Sequence, residues 1–192
     1  MAAMERPRPV IECGDVALRS WRGQRDFSSA HRLIEESVDH LRPWEPWVAL
    51  HSEANTRGFL EKSGSGWAGD RVYNYAIIEH GTLVGMCQAY RGAEPTGWFL
   101  GYWLHPAATG RGIATTATSA LISEMFTLPA VRYLEIAHDS ANTASAAIPH
   151  RLGFTEVRRE PATPPTAPSG TGIEVIWRLY RPAPPADGIP HP

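Results

Sequence analysis

The sequence predicts one α/β domain of mixed α+β type, with a central twisted mixed sheet of about six to seven strands and about four flanking helices. Three observations point there. Tyr73–Glu79 and Thr82–Tyr90 are strand-like runs separated by His80-Gly81, where the glycine can take positive φ, the pattern of a hairpin. A helical stretch from Ile113 to Phe126 lies between strand-like Trp98–Leu104 and Val131–Ala137. This reads as a crossover unit joining parallel neighbours, with a ligand expected at their carboxyl ends. Apolar Phe27, Ala30, Ile34, Val38 and Leu41 recur at three- and four-residue steps, with Arg32, Glu35, Glu36 and Asp39 elsewhere, as an amphipathic helix requires.

The other elements fall around these. Residues 1–11 read as a flexible lead, 12–181 as the domain and 182–192 as a flexible proline-rich tail. Val16–Trp21 alternates as a strand does. The first helix, drawn over Gln24–Leu41, stops at Pro43, and the proline-bracketed Arg42-Pro43-Trp44-Glu45-Pro46-Trp47 cannot continue it. Ser52 caps a second helix running toward Trp67, with Phe59 and Leu60 as apolar contacts and glycines at 64 and 66 near its end. Gly101, inside the apolar run before the crossover helix, signals a bulge or a close ligand approach. Asn142–Leu152 is a shorter helix broken by Pro149, and Gly153-Phe154 opens another strand. After a proline-rich loop at 161–168, Gly172–Tyr180 supplies the last strand.

At 192 residues with 43% hydrophobic content, the chain is long enough to bury a core. Its 18 basic residues nearly balance 20 acidic ones, a net charge of -2, so no global electrostatic case exists for nucleic acid or an anionic membrane surface. No apolar run approaches membrane-spanning length, and Met1-Ala2-Ala3-Met4-Glu5-Arg6-Pro7 lacks a signal-type apolar core. Cys13 and Cys87 have no partners at metal-ligand spacing, so a cysteine-held metal is not expected, and a reducing cytoplasm fits.

Chemistry concentrates in Leu104–Thr115. A helix starting after Gly110-Arg111-Gly112 would aim unpaired backbone N–H groups at one point, with the positive end of its dipole behind them. The two glycines let a phosphate reach the backbone, and Arg111 between them offers a planar fork of donors. The dinucleotide fingerprint fails because its third glycine would fall on Thr115, and no Gly-Lys-Ser/Thr follows. The stretch is a phosphate cradle of another kind, or only a turn. Trp44 and Trp47, held in a stiff turn, are either a core staple or one wall of a substrate mouth.

Four segments stand in an order and spacing that resembles the GNAT acetyltransferase superfamily, and within it the Rim-type ribosomal-protein alanine N-acetyltransferases. They are Leu41–Trp47, Leu100-Gly101-Tyr102-Trp103-Leu104, Gly110-Arg111-Gly112-Ile113-Ala114, and Asn142-x-x-Ser145 followed by Leu152-Gly153-Phe154. The resemblance spans residues 12–181 and implies an N-acetyltransferase that moves an acetyl group from acetyl-CoA to a primary amine. That amine would be a protein or peptide N-terminal α-amine or a small aminoacyl-like one. A CoA cradle is implied at Leu104, His105, Thr109, Gly110, Arg111, Gly112, Ile113, Ala114, Thr115 and Asn142, with the pyrophosphate on the backbone N–H groups from Arg111 to Thr115. Pantetheine would lie between strands ending near Leu104 and Ala137. The family motif Gln/Arg-x-x-Gly-x-Gly/Ala puts its last two fixed places on Gly112 and Ala114 but its first on Thr109, a shorter donor. Tyr102, Trp44 and Trp47 would face the acceptor, and a homodimer stays open.

Acetyl transfer to an amine needs the unprotonated amine, donors for the developing oxyanion and a proton for the leaving thiolate. A peptide α-amine, of reference pKa about 8 against about 10.4 for lysine, loses its proton far more easily near neutral pH. Where many GNAT enzymes carry a Tyr seven residues after the Asn, this chain has Pro149. The resemblance therefore gives the thiolate proton to Ser145, with Asn142 orienting a water or the pantetheine. His138 and Glu135 lead His105 as candidate bases, with Asp139 and His150 also near. Each has a plain structural reading as well, as a hydrogen-bonded histidine, a carboxylate paired with Arg132 or a helix cap. Thr109, Pro149 and the unassigned base motivate a rival, a non-catalytic acyl-CoA-binding or sensing protein. Within the class, an antibiotic-like amine or a succinyl group are the alternatives.

Overall fold

The computed structural model describes residues 6–183. Among them are strands β1 (Val10–Cys13), β2 (Val16–Ser20), β3 (Val72–Glu79), β4 (Thr82–Arg91), β5 (Gly97–Leu104), β6 (Tyr133–Asp139), β7 (Thr155–Pro161) and β8 (Ile173–Tyr180). The helices are α1 (Phe27–Leu41), α2 (Glu53–Ala68), α3 (Ile113–Met125) and α4 (Thr143–Arg151). The strands form one mixed sheet in the order β1-β2-β3-β4-β5-β6-β8-β7. Only the β5/β6 pair is parallel among them, as the α3 crossover between the two strands demands.

The β3–β4 hairpin turns through His80 and Gly81, both with positive φ (47° and 80°), the type I′ geometry that matches strand twist. Successive side chains of β5 point to opposite faces. Leu100 and Leu104 join the larger core with Ala117, Leu121 and Met125 of α3. Trp103, with Met86 of β4, joins a smaller core with Leu33, Ile34 and Leu41 of α1. The apolar face drawn for the first helix is therefore real, although a short 3-10 turn, Gly23–Asp26, replaces its first residues. Ser52 caps α2 as expected, accepting from the Asn55 N–H, and the glycines do not end the helix before Ala68.

Two expectations need correction. The sheet has eight strands, because Val10–Cys13, partly inside the presumed lead, pairs with β2. Residues 6–9 are also held: Arg8 donates its backbone N–H and its guanidinium to Glu124, and Tyr75 donates to the Arg8 carbonyl. Four residues without a long alternating run gave too little pattern to read as a strand. Residues 1–5 of that lead and 184–192 of the expected tail lie outside the described residues. Second, Pro149 does not break α4, which continues to Arg151. A proline there removes the N–H that would bond the Ser145 carbonyl. That carbonyl instead accepts from the Tyr102 hydroxyl at 3.2 Å.

Candidate active site

The β5/β6 ladder runs from Gly97↔Tyr133 to Leu100↔Ile136 and stops, although β5 continues to Leu104 and β6 to Asp139. The facing edges beyond Leu100 and Ile136 splay, leaving main-chain groups free to meet a third extended chain. Gly101 marks the opening. It makes no bulge, since the β4/β5 register is unbroken from Gly85 to Arg91, and a Cβ there would sit 3.0 Å from the Gln88 amide nitrogen. The glycine makes room for Gln88.

A groove of about 670 Å³ runs from this splay to the start of α3. Leu104, Thr109, Gly110, Gly112, Ile113, Ala114, Thr115 and Asn142 line it, as expected of the cradle. Gly112 is the N-cap of α3 with φ 79°, and no side chain caps the helix. The first N–H groups of α3 are thus left for an outside acceptor, with the helix dipole behind them. The Thr109 hydroxyl donates to the Pro106 carbonyl at 2.8 Å, closing the preceding turn. Two expected cradle side chains turn away. Arg111 pairs with Glu79 at 2.6 Å, and His105 accepts from the Ala107 N–H while its Nε2 lies 3.5 Å from Glu36.

The positive charge in the groove comes from Arg151 instead, which donates to Thr115 Oγ1 at 3.0 Å. Sequence reasoning missed it. Ala144, Ala147, Ile148 and Arg151 all line the groove at i, i+3, i+4 and i+7, so the helical face of α4 was the available signal.

At the splay, Tyr102 and Ser145 meet. The Tyr102 hydroxyl lies 3.2 Å from the Ser145 carbonyl and 3.4 Å from its Oγ, and burial pushes its pKa up to about 12 against the opposing hydrogen bond. Asn142 caps α4 by accepting the Ser145 N–H at 3.1 Å. All three residues line both the groove and an adjoining mouth of about 270 Å³, bounded by the Trp44–Pro46 turn and the loop before β8.

An extended slot between parted parallel strands, ending at an uncapped helix N-terminus, agrees with one family. The acetyltransferase (GNAT) domain model matches residues 15–155. The chain belongs to the GNAT family. No curated protein matches it by sequence. Among solved structures, RimL, a ribosomal L7/L12 α-N-protein acetyltransferase in complex with coenzyme A, is 19% identical with a TM-score of 0.82, over 89% of this chain and 97% of its own. The microcin C7 self-immunity acetyltransferase MccE, in complex with acetyl-CoA and AMP, is 18% identical with a TM-score of 0.79, over 87% and 93%. RimJ of Mycobacterium smegmatis, in complex with a CoA-disulfide, is 24% identical with a TM-score of 0.77, over 91% and 86%. At such identities the likeness is one of fold.

This GNAT protein is an acetyltransferase, with acetyl-CoA as its co-substrate. Groove and chemistry fit that molecule: free N–H groups and Arg151 for phosphates, and parted strands for a linear amide-bearing arm.

The expected base residues fare differently. His138 Nε2 accepts from the Trp177 indole at 2.9 Å while Nδ1 faces the Asp139 carbonyl at 2.8 Å, so both ring nitrogens are engaged and the lone pair is taken. Glu135 is 3% exposed and bonded to Arg158 and Arg178 rather than Arg132, and it lines neither groove nor mouth. Its place four residues before the strand end puts it below the splay. Asp139 ties down the loop before β8, accepting from Thr171 and Gly172.

The tryptophan turn divides its work. Trp44 lines groove and mouth, whereas Trp47 lies 6.0 Å from Trp103 on the other side of β5. Between them, Glu45 also lines groove and mouth, with its pKa raised by burial against a hydrogen bond from the Trp47 indole. A raised carboxylate pKa in a cleft was invisible in the sequence, because it depends on what folds over the side chain. Among the described residues no group of three or more His, Cys, Asp or Glu could hold a metal, and no helix is long and apolar enough to cross a membrane.

Proposed function

We propose that the protein acetylates a primary α-amine, at a peptide N-terminus or on a small aminoacyl compound, by direct attack on the thioester of acetyl-CoA. The observation that carries this is the meeting of Tyr102, Ser145 and Asn142 at the splay, where groove and mouth join. The first turn of α3 and Arg151 hold the pyrophosphate, and the main-chain edge of Gly101–Leu104 receives the pantetheine and polarises the thioester carbonyl.

The amine nitrogen bonds to the carbonyl carbon and the carbon–sulfur bond breaks. Glu45 takes the proton that the nitrogen sheds, its raised pKa bringing it nearer the working pH. The thiolate takes a proton through the Ser145 hydroxyl. Tyr102 is a positioning residue: it holds the Ser145 carbonyl that Pro149 leaves open, and so fixes the start of α4. Ribosomal-protein acceptors of the RimL kind belong to this substrate class.

Thiol release from acetyl-CoA with a panel of N-terminal peptides tests the reading. Ser145→Ala should bind CoA as the wild type does and turn over at least tenfold more slowly, and Glu45→Gln should lose about a hundredfold in kcat. CoA binding without amine-dependent thiol release would instead favour a non-catalytic acyl-CoA sensor.

A further inference from the structure

A second cavity, of about 450 Å³, lies between α1, α2 and the β4/β5 face. It touches the site at two points. Trp103 lines both it and the CoA groove, and Gln88 lines both it and the mouth. Its wall is aromatic and aliphatic, with Trp21, Phe59 and Met86 facing Trp103 across the opening between helices and sheet. Lys62 is the one formal charge in that wall, and no carboxylate lines it; burial and the neighbouring His31 lower the pKa of His51. Three wall nitrogens, Trp21 Nε1, His51 Nε2 and Trp103 Nε1, are buried with no partner among the described residues. Trp103 is itself 9% exposed. Indole nitrogens only donate, and a buried donor left unmade costs free energy that an incoming acceptor atom restores.

We propose that this cavity holds the body of the acceptor, an uncharged and largely apolar aminoacyl or peptidyl group whose carbonyl oxygen meets the wall N–H donors while its amine reaches the splay beside Gln88. The proposal rests on the acetylation reading above and narrows its substrate class. A polycationic amine is excluded by the same wall: it would meet Lys62 and find no carboxylate. An apolar amine without a carbonyl would leave the indoles unpaired.

The test uses the whole protein and three amines: leucinamide, lysinamide and isopentylamine, the last lacking the carbonyl. With acetyl-CoA, and with rates referred to the unprotonated amine because isopentylamine is the stronger base, leucinamide should give a kcat/KM at least tenfold above either of the others. With CoA in place of acetyl-CoA, leucinamide binding should be read by tryptophan fluorescence, since Trp21, Trp47 and Trp103 line the cavity. Gly58, in α2, lines the cavity, and a Cβ built there meets nothing within 4 Å, so Gly58→Leu starts a side chain from open space at the cavity wall. That variant should weaken leucinamide binding at least tenfold and leave CoA affinity unchanged. Lysinamide matching leucinamide, or Gly58→Leu binding leucinamide as the wild type does, overturns the proposal. Leucinamide binding that Gly58→Leu abolishes, without turnover, sinks the acetylation reading and keeps the cavity assignment. Turnover unaffected by Gly58→Leu does the reverse.

Discussion

Asp26 is buried at the foot of α1, where the guanidinium groups of Arg19 and Arg22 and the Arg22 N–H all donate to its carboxylate. Burial alone would raise its pKa, but these hydrogen bonds outweigh burial and hold it at about 2. The folded value lies below the unfolded one of about 3.9, so the group stabilises the fold in full above that pH and loses its effect as pH falls toward 2. The stake is on the order of 2 kcal/mol. Urea unfolding followed from pH 6 down to 2.5 should show this loss, and Asp26→Asn should be less stable at pH 6 with a flatter acid profile. Tyr102 offers a second test at this scale. Tyr102→Phe keeps the ring and removes the hydroxyl that holds the Ser145 carbonyl, so kcat should fall about tenfold with CoA affinity nearly unchanged. A merely structural tyrosine would lower the melting temperature and spare kcat.

Among the elements, α3 and α4 line the groove, and they were legible to different degrees. Repeating apolar positions and the Gly-x-Gly turn marked α3 to within a residue of its observed span. The helix start left without a side-chain cap was legible too, but not the direction of Arg111, because Glu79 lies 32 residues away in sequence and meets it only through the sheet. Pro149 misled for the same reason: a proline inside a helix is costly unless something else bonds the orphaned carbonyl, and that something sits on β5. Gly112→Val should raise the CoA dissociation constant more than tenfold. No protein atom crowds a Cβ there, so the effect comes from the left-handed φ and from a side chain over the exposed N–H groups. Arg151→Ala should weaken CoA about tenfold and flatten the salt dependence of binding, whereas Arg111→Ala should do neither. Calorimetric titration with CoA at two salt concentrations separates the two arginines.

Across the whole molecule, β5 and β6 stop pairing with each other beyond Leu100, and contacts elsewhere tie the sheet to its helices. One anchor is the segment before β1. Its Arg8 reaches Glu124, whose side chain is fully buried near the end of α3, and Tyr75 of β3 bonds the Arg8 carbonyl, so three distant parts of the chain meet there. Balanced overall charge conceals such local pairings, which is why the sequence read this segment as loose. Removing the arginine leaves a carboxylate buried without its cation, a costlier state than having neither. Arg8→Ala should therefore lower the melting temperature markedly. Adding Glu124→Gln to it should restore part of the loss, because a neutral amide tolerates the dry site better than a lone carboxylate. Saturating CoA should raise the melting temperature of both variants as much as that of the wild type, since the anchor and the groove lie at different ends of α3. A smaller rise in Arg8→Ala alone would mean that the anchor also sets the position of the α3 N-terminus and with it the phosphate seat.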